Sequence, residues 1–188
     1  MIAKVISGGQ AGADEAGVLA ARQLHIPTGG TMPRGWRTQR GPRPDFAHLY
    51  NMVEHASDSY GPRTFANVHA ADITLRIAHD LHAAGEMLTE KACRQMGRPH
   101  TDVLVQAAES IFVQAAPSKH LVFARYAVEL AAIDKAAEAI RERAAALGCP
   151  VVVNVAGNSE RTAPGIGNVA WSVCRRIFEA VLTAGGAS

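Results

Sequence analysis

The chain has 188 residues, 48% of them hydrophobic and 19% charged, with a formal net charge of +2. That length suits a single domain with a core of its own, and so small a net charge excludes nucleic-acid binding through a general positive field. Three cysteines, Cys93, Cys149 and Cys174, form no CxxC pair, which argues against a disulfide framework and against a zinc ribbon.

The β-branched run Ile2–Ser7 predicts a first strand. With a strand already at this point and no apolar run of the ~18 residues needed for a membrane span, the expected location is the cytoplasm. The octet Ser7-Gly8-Gly9-Gln10-Ala11-Gly12-Ala13-Asp14 comes next, ahead of a helix predicted over 15–24. Strand, glycine loop and helix is an arrangement that binds phosphate, because glycines admit an anion close to the backbone and the helix offers it free N–H groups. Gly8, Gly9 and Gly12 would approach the anion, Gln10 would donate to it, and Asp14 would cap the helix. The spacing matches neither a P-loop nor a complete G-x-G-x-x-G loop, so a simple glycine turn is the alternative.

Residues 28–31 suit a short strand or turn, and 32–44 a long loop carrying Trp36 and three prolines. Arg34, Arg37, Arg40 and Arg43 stand at every third position of it. In a polyproline-like conformation they would share one face and gather an oxyanion; a solvated basic loop is the alternative. A strand is predicted at 51–54 and a helix at 63–70, with Arg63 and Asn67 one turn apart on the same face. A cation at a helix start opposes the dipole, and an anion beside Arg63 would remove the conflict. Asp72 and Thr74 alternate on a strand at 73–77 and would share a face, where Asp72 could hold a sugar hydroxyl or cap a turn.

His79-Asp80-Leu81-His82 offers two histidines at i,i+3 but no third ligand, so no metal site is expected there. Gly85 opens a helix predicted over 85–96, followed by a strand at 103–105. A long helix is predicted over about 119–147. Tyr126, Leu130, Ile133, Ala137, Ile140, Ala144 and Leu147 form a heptad-like seam along it. That seam suits either packing on a sheet or pairing across a dimer axis. Val151-Val152-Val153-Asn154-Val155 predicts a buried strand, Gly157 and Asn158 lie in the loop after it, and a final helix is predicted over 166–183. Strands alternating with helices make the fold class α/β, with a mainly parallel sheet, helices on both faces and ligands at the carboxyl ends of the strands.

In order along the chain, the opening octet, Ile26-Pro27-Thr28-Gly29-Gly30, Met32-Pro33-Arg34-Gly35-Trp36-Arg37 and Gly41-Pro42-Arg43-Pro44 carry a family pattern. It resumes at Tyr60, Arg63-Thr64, Asn67-Val68, Asp72-x-Thr74-Leu75, Asn154-Val155-Ala156-Gly157 and Ala163-Pro164-Gly165-Ile166-Gly167. These residues resemble the putative molybdenum carrier family, the circularly permuted YpsA-like branch of the SLOG superfamily. The resemblance implies a Rossmann-like three-layer sandwich, here one domain over 1–188 with a helical expansion at about 101–147. It also implies a phosphorylated ligand: a nucleotide, or the molybdenum cofactor, whose pterin bears a phosphate. Where that family has a Gly-Thr pair this chain has Gly85-Glu86, and the catalytic glutamate of related phosphoribohydrolases has no counterpart at Thr89.

The leading expectation is a binding protein, a carrier or sensor of a phosphorylated small molecule. Gly8, Gly9, Gln10, Gly12, Asp14, Arg34, Arg37, Arg63, Asn67, Gly85, Gly157 and Asn158 would form the site, with Asp72 and Asn158 at the sugar or ring. One alternative is hydrolysis of the N-glycosidic bond of a nucleoside monophosphate, with Glu86 or Asp72 as the catalytic carboxylate. Another is a dimeric scaffold with a vestigial cleft. A homo-oligomer through the heptad-like helix is expected, with no membrane or nucleic-acid partner.

Overall fold

Short runs of β-branched residues assemble into one sheet, and a computed structural model describes residues 1–108, 119–123 and 125–184 of the chain. The elements that matter here are β1 (Ile2–Ser7), α1 (Ala13–Gln23), β2 (Thr28–Met32), β3 (Arg37–Thr38), β4 (Gly41–Pro42), α2 (Phe46–Tyr50), β5 (Met52–Glu54) and α3 (Tyr60–Ala70). They continue with β6 (Ile73–Ala78), α4 (Ala84–Gln95), β7 (His100–Leu104), β8 (Gln106–Ala107), β9 (His120–Val122), β10 (Tyr126–Glu129), α5 (Leu130–Leu147), β11 (Val151–Gly157) and α6 (Ile166–Ala184). Six strands form the main sheet in the order β5-β2-β1-β11-β6-β7. Every neighbouring pair is parallel, so all six carboxyl ends lie along one edge.

The two faces of that sheet differ in chemistry because side chains alternate along each strand. Val151, Val153 and Val155 of β11 and Ile73, Leu75 and Ile77 of β6 face one side. There they join Ile133, Ala137 and Ile140 of α5 and Val173, Ile177 and Phe178 of α6 in the main core. The alternate positions face α3 and α4 and include buried polar residues: the Asn154 amide donates to Thr74 Oγ1 at 3.3 Å. Arg76, only 2% exposed, donates to both carboxylate oxygens of Asp102 on β7 at 2.7 and 2.6 Å and to the backbone carbonyl of Glu86 at 3.2 Å. That last bond ties the start of α4 to the sheet. Asp102→Asn leaves the guanidinium buried with a weaker partner, and urea unfolding is expected to show a loss of about 2 kcal/mol.

Several expectations shift. The predicted long helix begins only at Leu130; residues 120–122 and 126–129 are antiparallel strands, sharing a three-stranded sheet with β8 in the order β8-β10-β9. Tyr126-Ala127-Val128 is aromatic and β-branched enough for a strand, and Tyr126 matched the seam by spacing alone. Residues 109–118 and 124 of the expected expansion lie outside the described residues. Ile133, Ala137, Ile140 and Ala144 are all buried in the chain's own core. The seam therefore packs inward, which removes the basis for pairing two copies through it. Among the described residues, no helix is long and apolar enough to cross a membrane.

The loop at 32–44 is not polyproline-like. Arg37 and Pro42 pair across a small hairpin, β3 to β4, and Trp36 packs on a satellite cluster of Val18, Met32, Phe46, Tyr50 and Met52. The four arginines therefore do not share one face, and three of them are met by carboxylates of the chain itself. Arg37 approaches Asp58 at 3.8 Å, Arg40 approaches Glu15 at 4.0 Å, and Arg43 is clamped by Asp45 at 2.8 Å and Glu15 at 3.3 Å over the Phe46 ring.

Candidate functional site

A cleft of about 400 Å3 opens over the carboxyl ends of β1, β11 and β6. Its floor comes from the loop after β1 (Gln10, Asp14) and from the end of β11 (Ala156, Gly157, Asn158). Tyr60, Arg63 and Thr64 of α3 form one wall, Ala83 to Glu86 with Leu88 and Thr89 of α4 the other, and Gln39, Ser159, Arg161 and Thr162 the rim. The hairpin is fastened there by two bonds: Gln10 Nε2 donates to the Arg37 carbonyl, and Gln39 Nε2 to Ser159 Oγ, each at 2.9 Å.

The glycine loop serves the protein's own packing first. A Cβ on Gly8 would lie 1.7 Å from Nη1 of Arg63, so the missing side chain is what lets the guanidinium settle on the loop. Gly12, at φ +125°, forms a bridge to Ser159, where a Cβ would meet the Asn158 carbonyl at 2.5 Å. Gly9 abuts Met32 in the same way. Asp14 is not the cap of α1, since Gly12 takes that position and no side chain caps it. Asp14 lies one residue inside the helix and turns back, accepting from the N–H groups of Gln10 (3.3 Å) and Gly8 and facing Arg63 Nη1 at 3.5 Å. Its carboxylate thus occupies the anion position beside Arg63 and relieves the cation at the start of α3. Burial pushes its pKa up, more than the Arg63 charge and the two N–H groups bring it down.

Across the cleft, Glu86 sits in the first turn of α4 and is only 3% exposed. Desolvation, reinforced by the Asp14 charge, pushes its pKa from 4.5 to about 7, against the pull of Arg76 and a hydrogen bond from Asn158. Asn158 holds the loop after β6 as well: its Oδ1 accepts from the N–H groups of His79 and Asp80, and its Nδ2 donates to the Asp80 carbonyl. It is a positioning residue, with its amide already engaged.

Of the expected site residues, Gln10, Asp14, Arg63, Gly85, Glu86, Gly157 and Asn158 line this cleft together. Gly8, Gly9 and Gly12 lie beneath or beside it. Arg34 is exposed, and neither it nor Arg37 reaches the lining. Asn67 exchanges two hydrogen bonds with the Thr31 backbone and so clamps β2 to α3. Asp72 is misplaced by a whole sheet length. It precedes β6, at the amino edge of the parallel sheet, where its carboxylate accepts from Val152 N at 2.8 Å. It cannot act in the cleft. Arg161, Tyr60 and Gln39 also line the cleft although they were not among the expected site residues; Tyr60 stands in the family pattern, and Arg161 closes the loop that follows the valine strand. His79 Nδ1 lies 2.8 Å from the Val105 carbonyl, and among the described residues no cluster of three or more His, Cys, Asp or Glu could hold a metal.

Gly8→Ala is expected to push the Arg63 guanidinium off Asp14, because a Cβ would meet Arg63 Nη1 and Cζ and Asp14 Oδ2, and so to weaken phosphate affinity about tenfold and lower stability by about 1–3 kcal/mol. Isothermal titration calorimetry with inorganic phosphate, alongside a thermal melt, separates the two effects.

Residues 5–122 match the circularly permutated YpsA SLOG family. The chain belongs to this family. A crystal structure at 1.45 Å of a putative molybdenum carrier protein from Syntrophus aciditrophicus SB is similar to this SLOG protein over 96% of the chain and 95% of the relative, with 29% identity and a TM-score of 0.69. No curated protein matches the chain.

Proposed function

We propose that this SLOG protein binds a small phosphorylated organic molecule in the cleft, as a carrier or sensor. One observation carries the reading. Among the described residues, the buried side-chain atoms without a hydrogen-bond partner are Gln10 Oε1, Arg63 Nε and Glu86 Oε2, and all three residues line this one cleft. Each orphaned atom costs about 1–3 kcal/mol unless a partner arrives, and a ligand seated between them would supply all three partners. Arg63 and Arg161 would face its phosphate, and α4, which lacks a side-chain cap and has open space over Gly85, would turn its positive end to it. The Syntrophus relative is named as a putative molybdenum carrier; with the family resemblance, that makes the molybdenum cofactor one candidate ligand, and a nucleotide is the other. Native mass spectrometry of freshly purified protein is the test: a retained phosphate-bearing species or molybdenum supports the reading. No adduct, together with no thermal stabilisation by millimolar nucleotide or phosphate, overturns it.

A second reading is favoured by Glu86 specifically. With a pKa of about 7 it is substantially protonated at neutral pH, the state a general acid needs to break an N-glycosidic bond. Release of free base from a nucleoside monophosphate, lost in Glu86→Gln with ligand affinity retained, supports hydrolysis. Intact nucleotide after prolonged incubation with excess protein rules it out.

A further inference from the structure

The orphaned atoms also say what the ligand carries besides its anion, an inference that rests on the binding reading above. With Glu86 ionised, its state above about pH 7, two of the three are acceptors. The Glu86 carboxyl is almost fully buried, and its Oε2 has no hydrogen-bond partner. The Gln10 amide is fixed in orientation because its Nε2 donates to the Arg37 carbonyl; Oε1 is therefore the atom left bare in the cleft wall. Arg63 Nε is the single orphaned donor. A bare phosphate satisfies the arginine and leaves both acceptors empty. It also brings negative charge toward Glu86 and Asp14, while the cation nearest Glu86, Arg76, is already engaged by Asp102.

We propose that Glu86, with Gln10, makes the cleft select phosphate esters that carry hydrogen-bond donors, hydroxyl or ammonium, and discriminate against bare anions. The donors of such a ligand reach Glu86 Oε2 and Gln10 Oε1 while its phosphate meets Arg63. Sites built to hydrogen-bond a ligand group reject analogues that lack it, since the buried acceptors then stay unpaired. Glu86 is thus the specificity-determining residue of the cleft, and Arg63 the general anion contact.

Calorimetric titration at about pH 8.5, where Glu86 is ionised, tests this with four probes: inorganic phosphate, propyl phosphate, ribose 5-phosphate and O-phosphoethanolamine. In the native protein, ribose 5-phosphate or O-phosphoethanolamine is expected to bind at least about tenfold tighter than propyl phosphate. The stronger of the two identifies the donor as hydroxyl or ammonium. Glu86→Leu is expected to erase that ratio while leaving propyl phosphate bound as well as before or better. Should the leucine variant fail to fold, Glu86→Gln serves: it keeps an acceptor oxygen without the charge, so a hydroxyl preference persists and an ammonium preference falls. Equal affinity for the three esters in the native protein, or an ester preference that survives in Glu86→Leu, overturns the proposal and leaves the binding reading standing. If none of the four probes binds, this proposal is overturned, and the binding reading is decided separately by native mass spectrometry and nucleotide stabilisation.

Discussion

Arg63→Leu is expected to lower affinity for a phosphorylated ligand by about 100-fold and to destabilise the fold by about 3 kcal/mol. The first effect follows from position: Arg63 is the buried cation of the cleft, its side chain 13% exposed against Asp14 at 6%, and its Nε has no other partner. The second follows from what remains. Without the guanidinium, Asp14 keeps only the N–H groups of Gly8 and Gln10, and burial already pushes its pKa up. Adding Asp14→Asn to Arg63→Leu should therefore restore much of the stability and none of the binding. Arg63→Lys should restore part of the stability but little affinity, because an ammonium cannot reproduce the planar fork. Urea unfolding and calorimetry on the same samples check both halves. Undiminished phosphate binding in Arg63→Leu would remove Arg63 from the site.

Glu86 produces the other large effect, and its sign is fixed by the direction of the shift. Its pKa rises from 4.5 to about 7 on folding, so between those values the folded state holds a proton that the unfolded chain has released. The contribution is full below about pH 4.5 and is lost as the pH rises to about 7. Above that, both states are ionised and the loss is complete, at roughly 3 kcal/mol from ~1.36 kcal/mol per pH unit. Glu86→Gln is neutral throughout. The stability difference between variant and native protein should thus be near zero around pH 4.5 and favour the variant by roughly 3 kcal/mol around pH 8. Thermal and urea unfolding of both proteins across that range measure it, and a flat difference would mean that Glu86 ionises normally. An anion entering the cleft raises this carboxyl further, so binding near pH 7.5 should take up protons, visible as a dependence of the calorimetric heat on the buffer's ionisation enthalpy.

The architecture was legible because periodicity reports it directly. Five of the sheet strands and most of the helical turns follow from runs such as Ile2–Ser7 and Val151–Gly157 and from the apolar stripe of Ile166–Ala184. Two-residue strands such as Arg37–Thr38 and Gly41–Pro42 carry no period, so the arginine spacing was interpreted with the wrong geometry. Gly8, Arg63 and Asp14 were each marked by local chemistry, yet their mutual contact depends on how α3 lies over the β1 loop, which spacing cannot show. Asp72 is different, since strand polarity was already available: a residue just before a parallel strand lies at the edge opposite the ligand edge. Gln39, Tyr60 and Arg161 come from three separate loops and helix starts, and only the assembled sheet brings them to one cleft.

The position of β11 has a consequence for how the molecule is made. The strand inside the sheet that is hydrogen-bonded to β1 on one side and β6 on the other is the last of the sheet's six strands in chain order. Without residues 151–157, nothing in the strand order joins β5-β2-β1 to β6-β7, and the inner edges of β1 and β6 lack their partner. Such edges template wrong pairings, and a sheet closed by its final strand has many contacts between distant residues, which slows folding. A nascent chain stalled before Val151 should therefore remain protease-sensitive and chaperone-bound. Release of β11 and α6 would convert it to a protected form in a single late step.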